Sequence, residues 1–201
     1  MRRVSLIRSL RYITLGFDML SQDEYLEKVN PIRQPVQSDT VCGLDFLNEW
    51  LKLEEDSFGK PINMVPDFQR GHVWTHDQQT KFIENVLRGL VDKSGLTIRF
   101  NHPTKEALNH TNDITGEIIC LDGLQRLESL KQFLAGNILP FGMSYAEIPR
   151  VFIRNIRIHF QIYDFTNRSD ILAFYLDINS GGTPHSNEEI QRVQSLLAES
   201  L

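Results

Sequence analysis

The hydrophobic positions of this sequence change period several times along the chain, and each change predicts a new secondary-structure element. Every second residue from Ile156 to Ile162 is apolar, which predicts a half-buried β-strand. Shorter apolar runs predict further strands at Ile62–Val65, Leu96–Phe100 and Ile118–Leu121. The last of these strands leads into the turn that carries the most informative residues of the chain.

Apolar residues at helical spacing predict five helices before, between and after these strands. The first starts at Asp39 or Thr40 and carries its apolar face on Val41, Leu44, Leu47 and Leu51. The others start at Thr75 or His76, after Gly123, at Ser169 and at Ser186. Because helices and strands are interspersed, with uneven connections and no regular βαβ repeat, the chain is expected to form a compact α+β domain.

Composition and charge narrow the class of protein without identifying it. The 201 residues are 41% hydrophobic and 23% charged, which is ordinary for a folded domain. The net charge of −5 excludes a surface that is basic throughout, so any DNA contact must use a local basic patch. Cys42 and Cys120 lack metal-ligand spacing and are expected to be unpaired thiols.

The N-terminal residues are expected to form a basic arm in front of the domain. Residues 1–39 show no sustained period and contain Pro31 and Pro35, with one short helix predicted around Gln22–Val29. Arg8 interrupts the start too early for a secretory signal, and no apolar run approaches the roughly 20 residues that span a bilayer. We therefore expect a soluble, cytoplasmic protein with no membrane partner and a domain over residues 40–201.

The strand that ends at Leu121 runs through an Asp-Gly step directly into a helix, and this turn carries the strongest candidate chemistry. Such a turn points the first N–H groups of the helix, with the positive end of its dipole, toward an anion such as phosphate. Asp122, Gln125 and Arg126 add a carboxylate, an amide and a guanidinium. A second interpretation is structural, since Asp122 and Gln125 have the D-x-x-Q spacing of a capping box.

Three polar clusters lie at the ends of predicted elements. They are Asp67-Phe68-Gln69-Arg70 with Trp74, Asp122-Gly123-Leu124-Gln125-Arg126, and Asn179-Ser180-Gly181-Gly182-Thr183. A Gln-Arg pair occurs in the first two clusters, and an arginine fork beside an amide suits a phosphate group. The glycines of the third allow a ligand to approach the backbone closely. Together the clusters suit a nucleoside triphosphate, with Asp122 as the metal ligand or general base.

Each cluster also has a structural interpretation when it is taken alone. Asn179 with the glycines after it is typical of a helix end, and Arg70 fits a surface ion pair. No P-loop, nucleophile elbow or zinc-protease motif occurs in the sequence. His72 and His76 have the spacing of one helical face, but the residues before Trp74 are too rich in breakers to form a helix there.

One basic segment lies outside the three clusters. It contains Arg150, Arg154 and Arg157. These side chains are suited to contacts with a nucleic-acid backbone, and they are equally compatible with an exposed face of a strand. They are retained as candidate nucleic-acid contacts.

The three clusters, in this order and spacing, resemble the motifs of the GmrSD-type N-terminal domain family. The segment I-N-M-V-P-D-F-Q-R-G-H-V-W (Ile62–Trp74), with the helix that ends at Gly89, resembles the opening motif of that family. The run from Asp122 to Leu127 is similar to its D-G-Q-Q-R-L motif, and Phe174–Glu189 is similar to its closing segment. The resemblance covers residues 40–200, and the motifs are specific as a joint pattern.

The resemblance implies a ParB/sulfiredoxin-like fold, in which a small mixed sheet is flanked by helices. It further implies an enzyme that binds or hydrolyses ATP or another NTP, with Mg²⁺, on or near DNA that is modified in some systems. It assigns the phosphate and metal site to Asp122, Gly123, Gln125 and Arg126. It assigns a second wall to Gln69 and Arg70, and a closing loop to Asn179, Gly181 and Gly182 beside Thr183.

Two departures from the family pattern bear on the expected activity. Leu124 replaces the first Gln of D-G-Q-Q-R, which removes one amide from the site. The chain also ends near residue 201, without the HNH-type nuclease domain that often follows in the family. The second departure favours a stand-alone nucleotide enzyme over a restriction nuclease.

Three hypotheses of function result from these residues and the resemblance. The first is an NTP-dependent hydrolase or kinase-like phosphotransferase, with Asp122 as base or metal ligand and with Arg70 and Arg126 as clamps on the phosphates. The second is a metal-dependent nuclease that nicks DNA with the same residues. The third is a non-catalytic adaptor that binds nucleotide or DNA, which the missing amide at Leu124 and the acidic net charge favour.

Overall fold

The structure is a computed structural model that describes residues 21, 24, 25, 28, 36–71, 73–103, 117–180 and 187–200. In a first unit, Met1–Arg33, the backbone is helical at Glu24, Tyr25 and Lys28, inside the short helix predicted around Gln22–Val29. The sheet and the candidate site lie in a second unit, Gln34–Leu201. The division of the chain into an arm and a domain at residue 40 stays a prediction.

Four strands form one mixed sheet. They are β1 (Ser38–Gly43), β2 (Thr97–Asn101), β3 (Ile119–Asp122) and β4 (Arg157–Tyr163). Their order across the sheet is β1-β4-β2-β3, in which only the β4–β2 pair is parallel. A register shift between Arg99 and Phe100 places Arg99 of β2 opposite Asp122 at the end of β3.

Six α-helices accompany this sheet in the described residues of the second unit. They are α1 (Leu47–Phe58), α2 (His76–Leu87), α3 (Leu124–Leu134), α4 (Arg150–Arg154), α5 (Arg168–Ser180) and α6 (Asn187–Glu199). α2 begins where the sequence predicts, because Thr75 and Gln78 form a reciprocal capping box. Of the described helices, none has the length and apolar character to cross a membrane. The predicted compact α+β fold, a small mixed sheet flanked by helices, is confirmed.

The prediction of a helix that starts at Asp39 or Thr40 is wrong. The backbone there forms β1, which pairs antiparallel with β4, and the next α-helix begins at Leu47. Val41 is exposed and Cys42 is buried, which is the alternation of a strand. Val41 stands at helical spacing from the leucines that follow it. Its segment nevertheless forms a strand, because it pairs with β4. The strand predicted at Ile62–Val65 is reduced to a single bridge between Asn63 and Ile119.

The core consists of two hydrophobic clusters, and adjacent residues of β3 belong to different clusters. Cys120 belongs to a cluster that includes Leu127 of α3, whereas Leu121 packs with Phe68 and with Tyr175 of α5. Successive side chains of a strand point to opposite faces, so β3 is covered on both faces. The turn that follows Asp122 therefore starts from a strand whose two central residues are buried.

Both cysteines are buried and unpaired, as the sequence predicts. The pKa of the Cys120 thiol is raised to about 12, and that of the Cys42 thiol is raised to about 11. Burial is the largest cause of both shifts. Because the thiolate is the reactive form, neither cysteine is suited to act as a nucleophile at neutral pH.

Candidate functional site

The turn between β3 and α3 is built around Gly123. This residue has φ +96° and is the N-cap of α3, without a side-chain cap bond. A Cβ atom at Gly123 would lie 2.7 Å from Cδ1 and 3.2 Å from Cα of Ile98, so a larger residue would combine a strained φ with a close contact to the neighbouring strand. The prediction of a capping box is wrong, because the Asp122 side chain accepts from Arg126 and the Gln125 side chain accepts from the N–H of Val73. The N-terminus of α3 is consequently left without a side-chain cap.

Asp122 holds two arginine side chains at the mouth of this turn. Its Oδ2 atom accepts from Nη1 of Arg99 at 2.6 Å and from Nη2 of Arg126 at 2.7 Å. Arg99 also donates from Nε to Gln161, at 3.1 Å, and Arg126 donates to the carbonyl of Ser94, at 3.3 Å. Between 20% and 26% of each of these three charged side chains is exposed. Both guanidinium groups are therefore fixed in orientation and still accessible.

These residues line a pocket of about 350 Å³. The full lining consists of Gln69, Arg70, Trp74, Ser94, Arg99, Asp122, Gly123, Leu124, Gln125, Arg126, Ile178 and Asn179. The charged members are three arginines and one aspartate, so the lining carries an excess of positive charge. The volume falls in the range of small-molecule sites, and the charge suits a polyanion. We call this cavity the arginine pocket.

Gln125 lines the arginine pocket, but its amide is used to hold the neighbouring loop. Its Oε1 atom accepts from the backbone N–H groups of Val73 and Trp74, at 2.9 and 3.0 Å, and its Nε2 atom donates to the carbonyl of Gly71. The residue predicted as a nucleotide ligand thus acts in this structure as a positioning residue. Its effect is to fix the chain after Arg70 against α3.

The first polar cluster contributes Gln69, Arg70 and Trp74 to the lining of the arginine pocket. Gln69 donates from Nε2 to the carbonyl of Leu121, at 3.3 Å, and its buried Oε1 atom has no hydrogen-bond partner in the described chain. Arg70 is exposed and lines the pocket beside it. Asp67 fixes this segment to the C-terminal helices, because its carboxylate pairs with Arg168 at 2.6 Å and its carbonyl accepts from Arg192.

The third polar cluster is only partly described. Asn179 lines the arginine pocket near the C-terminal end of α5, and its Nδ2 atom donates to the carbonyl of Tyr175 at 2.7 Å. Gly181, Gly182 and Thr183, which were predicted to close over a nucleotide, lie outside the described residues. Their predicted role stays a prediction.

The donor set around Asp122 suits an anion better than a protein-held metal ion. Asp122 is the one acidic side chain among the lining residues, and its Oδ2 atom is already used by two guanidinium groups. Mg²⁺ in proteins binds oxygen ligands and commonly uses one or two carboxylates together with substrate phosphates. In the part of the chain that the structure describes, no group of three or more His, Cys, Asp or Glu side chains is placed to hold a metal ion. The residues present therefore do not form a dedicated Mg²⁺ site.

Two residues that line the pocket, Arg99 and Trp74, are given no functional role by the sequence. Arg99 was assigned only to a strand, and its partner Asp122 becomes apparent only from the pairing of β2 with β3. The signal that was available is a charged residue inside the apolar run from Leu96 to Phe100. Trp74 was grouped with the first polar cluster without a role, and its ring lies 5.4 Å from that of Phe82 at the edge of the pocket.

The three candidate nucleic-acid contacts lie outside the arginine pocket. Arg150 and Arg154 belong to α4, and Arg157 begins β4. Arg154 pairs with Asp45 at 3.4 Å, and Arg157 lines a different cavity. The structure therefore separates these residues from the site around Asp122.

Comparison with known proteins identifies a family. A family model described as "GmrSD restriction endonuclease, N-terminal domain" matches residues 47–194, which is more than half of the chain and includes the residues described above as lining the arginine pocket. No curated protein and no solved structure match this chain.

Proposed function

The chain belongs to the GmrSD N-terminal domain family, and from this premise we propose that it is an NTP-dependent enzyme that acts on or near DNA. The family supports a restriction-type, DNA-related function, and the finer assignment to an NTP rests on the arginine pocket. The observation that carries it is the convergence of Arg99 and Arg126 on Asp122, in a cavity that Arg70 also lines.

A triphosphate matches this pocket in charge and in hydrogen-bonding capacity. Guanidinium groups present planar forks of donors that suit phosphate oxygens, and they keep their charge at all physiological pH values. The N-terminus of α3 adds backbone N–H groups and the positive end of a helix dipole at Gly123 and Leu124. Asp122 keeps the two nearest arginines from repelling each other when no anion is bound.

In the proposed reaction the chain supplies positioning and charge stabilisation. Phosphoryl transfer from an NTP to water or to a hydroxyl group needs little covalent participation by the protein. Arg70, Arg99 and Arg126 would bind the phosphate oxygens and stabilise the charge that develops on them. Asp122 orients two of these arginines through Oδ2, which leaves its Oδ1 atom to accept a proton from the attacking group. Because the pocket holds one carboxylate, we propose that Mg²⁺ arrives as the Mg–NTP complex.

Trp74 gives the pocket a surface for a nucleobase. It is the aromatic residue among the lining residues, it is half-buried, and Phe82 supports its ring from one side. Stacking on an aromatic ring is tolerant of the identity of the base, because every base has a π-face. The other tryptophan, Trp50, is buried and stacks on Phe160, so Trp74 fluorescence is a usable reporter of binding.

A second candidate function is a non-catalytic nucleotide-binding adaptor. The observation that favours it is that Asp122, the sole acidic residue among those lining the pocket, already accepts two ion-paired hydrogen bonds on one oxygen atom. Such a residue is well suited to hold arginines and is less free to act as a base. Tight NTP binding without turnover selects this candidate.

The purified protein is expected to release labelled phosphate, or to label an acceptor, when it is incubated with γ-labelled NTP, Mg²⁺ and duplex DNA.

If Asp122 acts by positioning, kcat/KM should fall in the order wild type, Asp122→Asn, Asp122→Ala, because Asn retains a neutral acceptor for one guanidinium. We expect losses of about tenfold for Asn and about a hundredfold for Ala. If Asp122 is the essential base, both variants lose turnover equally. Wild-type turnover in Asp122→Ala would contradict both roles.

A further inference from the structure

Gln161 of β4 contacts an arginine of the arginine pocket from outside its lining. Its Oε1 atom accepts from Nε of Arg99 at 3.1 Å, and it is not among the residues that line the pocket. The contact follows from the sheet, because Gln161 lies opposite Arg99 in the parallel pairing of β4 with β2. Paired residues of neighbouring strands present their side chains to the same face, so these two side chains meet directly.

Two partners hold different parts of the Arg99 guanidinium. Gln161 accepts from Nε, and Asp122 accepts from Nη1 at 2.6 Å. A guanidinium carries five N–H donors in one plane. Within the described residues this side chain makes only these two hydrogen bonds, so three donors remain, including both of Nη2. Because the group is held at two points, the remaining donors have a fixed direction.

The partner of Arg99 at Nε is neutral, whereas its partner at Nη1 is charged. A carboxylate in place of the Gln161 amide would attract the guanidinium more strongly, but it would also cancel the charge of the arginine. The pocket lining contains three arginines and one aspartate, which is an excess of two positive charges. The amide of Gln161 therefore orients Arg99 and leaves this excess available to an anion.

Gln161 also separates Arg99 from a competing carboxylate. Asp39 of β1 lies opposite Gln161 on the other side of β4, so the order across the sheet is Asp39, Gln161, Arg99. Since neighbouring strands are about 4.8 Å apart, the backbones at Asp39 and Arg99 are about 10 Å apart, within the combined reach of the two side chains. Asp39 pairs instead with Lys93, at 3.5 Å. With Gln161 between them, Arg99 is directed to Asp122 and away from Asp39.

We propose that Gln161 is a positioning residue of the arginine pocket, which directs Arg99 toward a bound polyphosphate and preserves the positive charge of the site. This inference rests on the proposed binding of NTP phosphates and names a residue that sets their affinity. Ordering a long side chain when a ligand binds weakens the affinity, and Gln161 orders Arg99 before the ligand arrives.

The test is calorimetric titration of the full chain with inorganic tripolyphosphate at several salt concentrations. Gln161→Met keeps the length of the side chain and the charge of the pocket but removes the acceptor. We expect its affinity to fall about two- to tenfold at every salt concentration. Gln161→Glu keeps an acceptor but lowers the excess charge by one. Its affinity should fall about tenfold at low salt and approach that of wild type as salt is raised.

Gln194→Met and Gln194→Glu are the matched controls, because Gln194 is exposed on α6 and is not among the residues that line the pocket. Both should bind tripolyphosphate like wild type, and circular dichroism checks that every variant is folded. In an Arg99→Gln background, Gln161→Met should cause no further loss of affinity, because Gln161 acts through Arg99.

Three results would overturn the proposal. They are wild-type affinity in Gln161→Met, an equal loss from Gln161→Met when Arg99 is already replaced, and a defect of Gln161→Glu that salt does not reduce. A purely structural role would give the second result, since damage to the sheet lowers affinity whether or not Arg99 is present.

NTP turnover, measured on the same samples, separates this proposal from the proposed function. The expected pattern of tripolyphosphate binding, together with no turnover by wild type, would support the role of Gln161 and refute the enzyme. No binding of tripolyphosphate by wild type would overturn both.

Discussion

Replacing Arg126 with glutamine is expected to weaken NTP binding by about tenfold to a hundredfold. Arg126 lines the arginine pocket and is held by Asp122 and by the carbonyl of Ser94, so its guanidinium needs little rearrangement to contact a phosphate. Hydrogen bonds to charged groups contribute about 1.5–3 kcal/mol, and 1.4 kcal/mol corresponds to a tenfold change in Kd. The measurement is a titration of the change in Trp74 fluorescence with NTP.

The matched control is Lys131→Gln, which removes one positive charge from the same helix. Lys131 lies in the last turn of α3 and pairs with Glu128, away from the pocket. Its replacement should leave the Kd for NTP unchanged. The Arg99→Gln/Arg126→Gln double variant should lose less than the sum of the two single losses, because Asp122 couples the two arginines. Equal affinities in Arg126→Gln and Lys131→Gln would refute the role of Arg126.

Replacing Gly123 with alanine is expected to lower the free energy of unfolding by about 2–3 kcal/mol. Part of the loss is the positive φ of +96°, which costs an L-residue about 1–2 kcal/mol. The rest comes from the new Cβ atom, which would lie 2.7 Å from Cδ1 and 3.2 Å from Cα of the buried Ile98, so that residue would have to shift. Urea unfolding followed by circular dichroism measures the difference.

Gly136→Ala is the control for the positive φ alone. Gly136 has φ +78° at the other end of α3, and a Cβ atom there would meet nothing within 4 Å. We expect it to cost about 1 kcal/mol, so the difference between the two variants isolates the close approach to Ile98. Equal losses in Gly123→Ala and Gly136→Ala would show that the contact with Ile98 has no energetic consequence.

The sequence predicted the local geometry of the turn at Asp122 better than the partners of its side chains. The Asp-Gly step after an apolar run predicted a strand that turns into a helix, and β3 and α3 confirm this local geometry. Arg126, one partner of Asp122, lies in the same turn, but Arg99 and the partners of Gln125 could not be read locally, because they come from β2 and from the loop after Arg70. A capping box and an anion site need the same residue types, so only the contacts made in the folded structure distinguish the two interpretations.

Arg99 illustrates what the sequence could not supply. Its position in an apolar strand was predicted, but its alignment with Asp122 depends on the sheet order and on the register shift beside it. Bulges of this kind redirect side chains and are over-represented beside functional sites. The reverse error occurred at Val41, where helical spacing predicted a helix and pairing with β4 produced a strand. The ParB/sulfiredoxin-like relationship stays a prediction that the family match does not test.

The most direct measurement is calorimetric titration of the full chain with inorganic tripolyphosphate, which carries the phosphates without a base. We predict one binding site in wild type and no detectable binding in the Arg70→Gln/Arg99→Gln/Arg126→Gln variant, with circular dichroism as the check on folding. The Lys52→Gln/Lys81→Gln/Lys131→Gln variant carries the same charge change and should bind like wild type. Wild-type affinity in the triple arginine variant, or no binding by the wild-type protein, would contradict the assignment of the arginine pocket as a polyphosphate site.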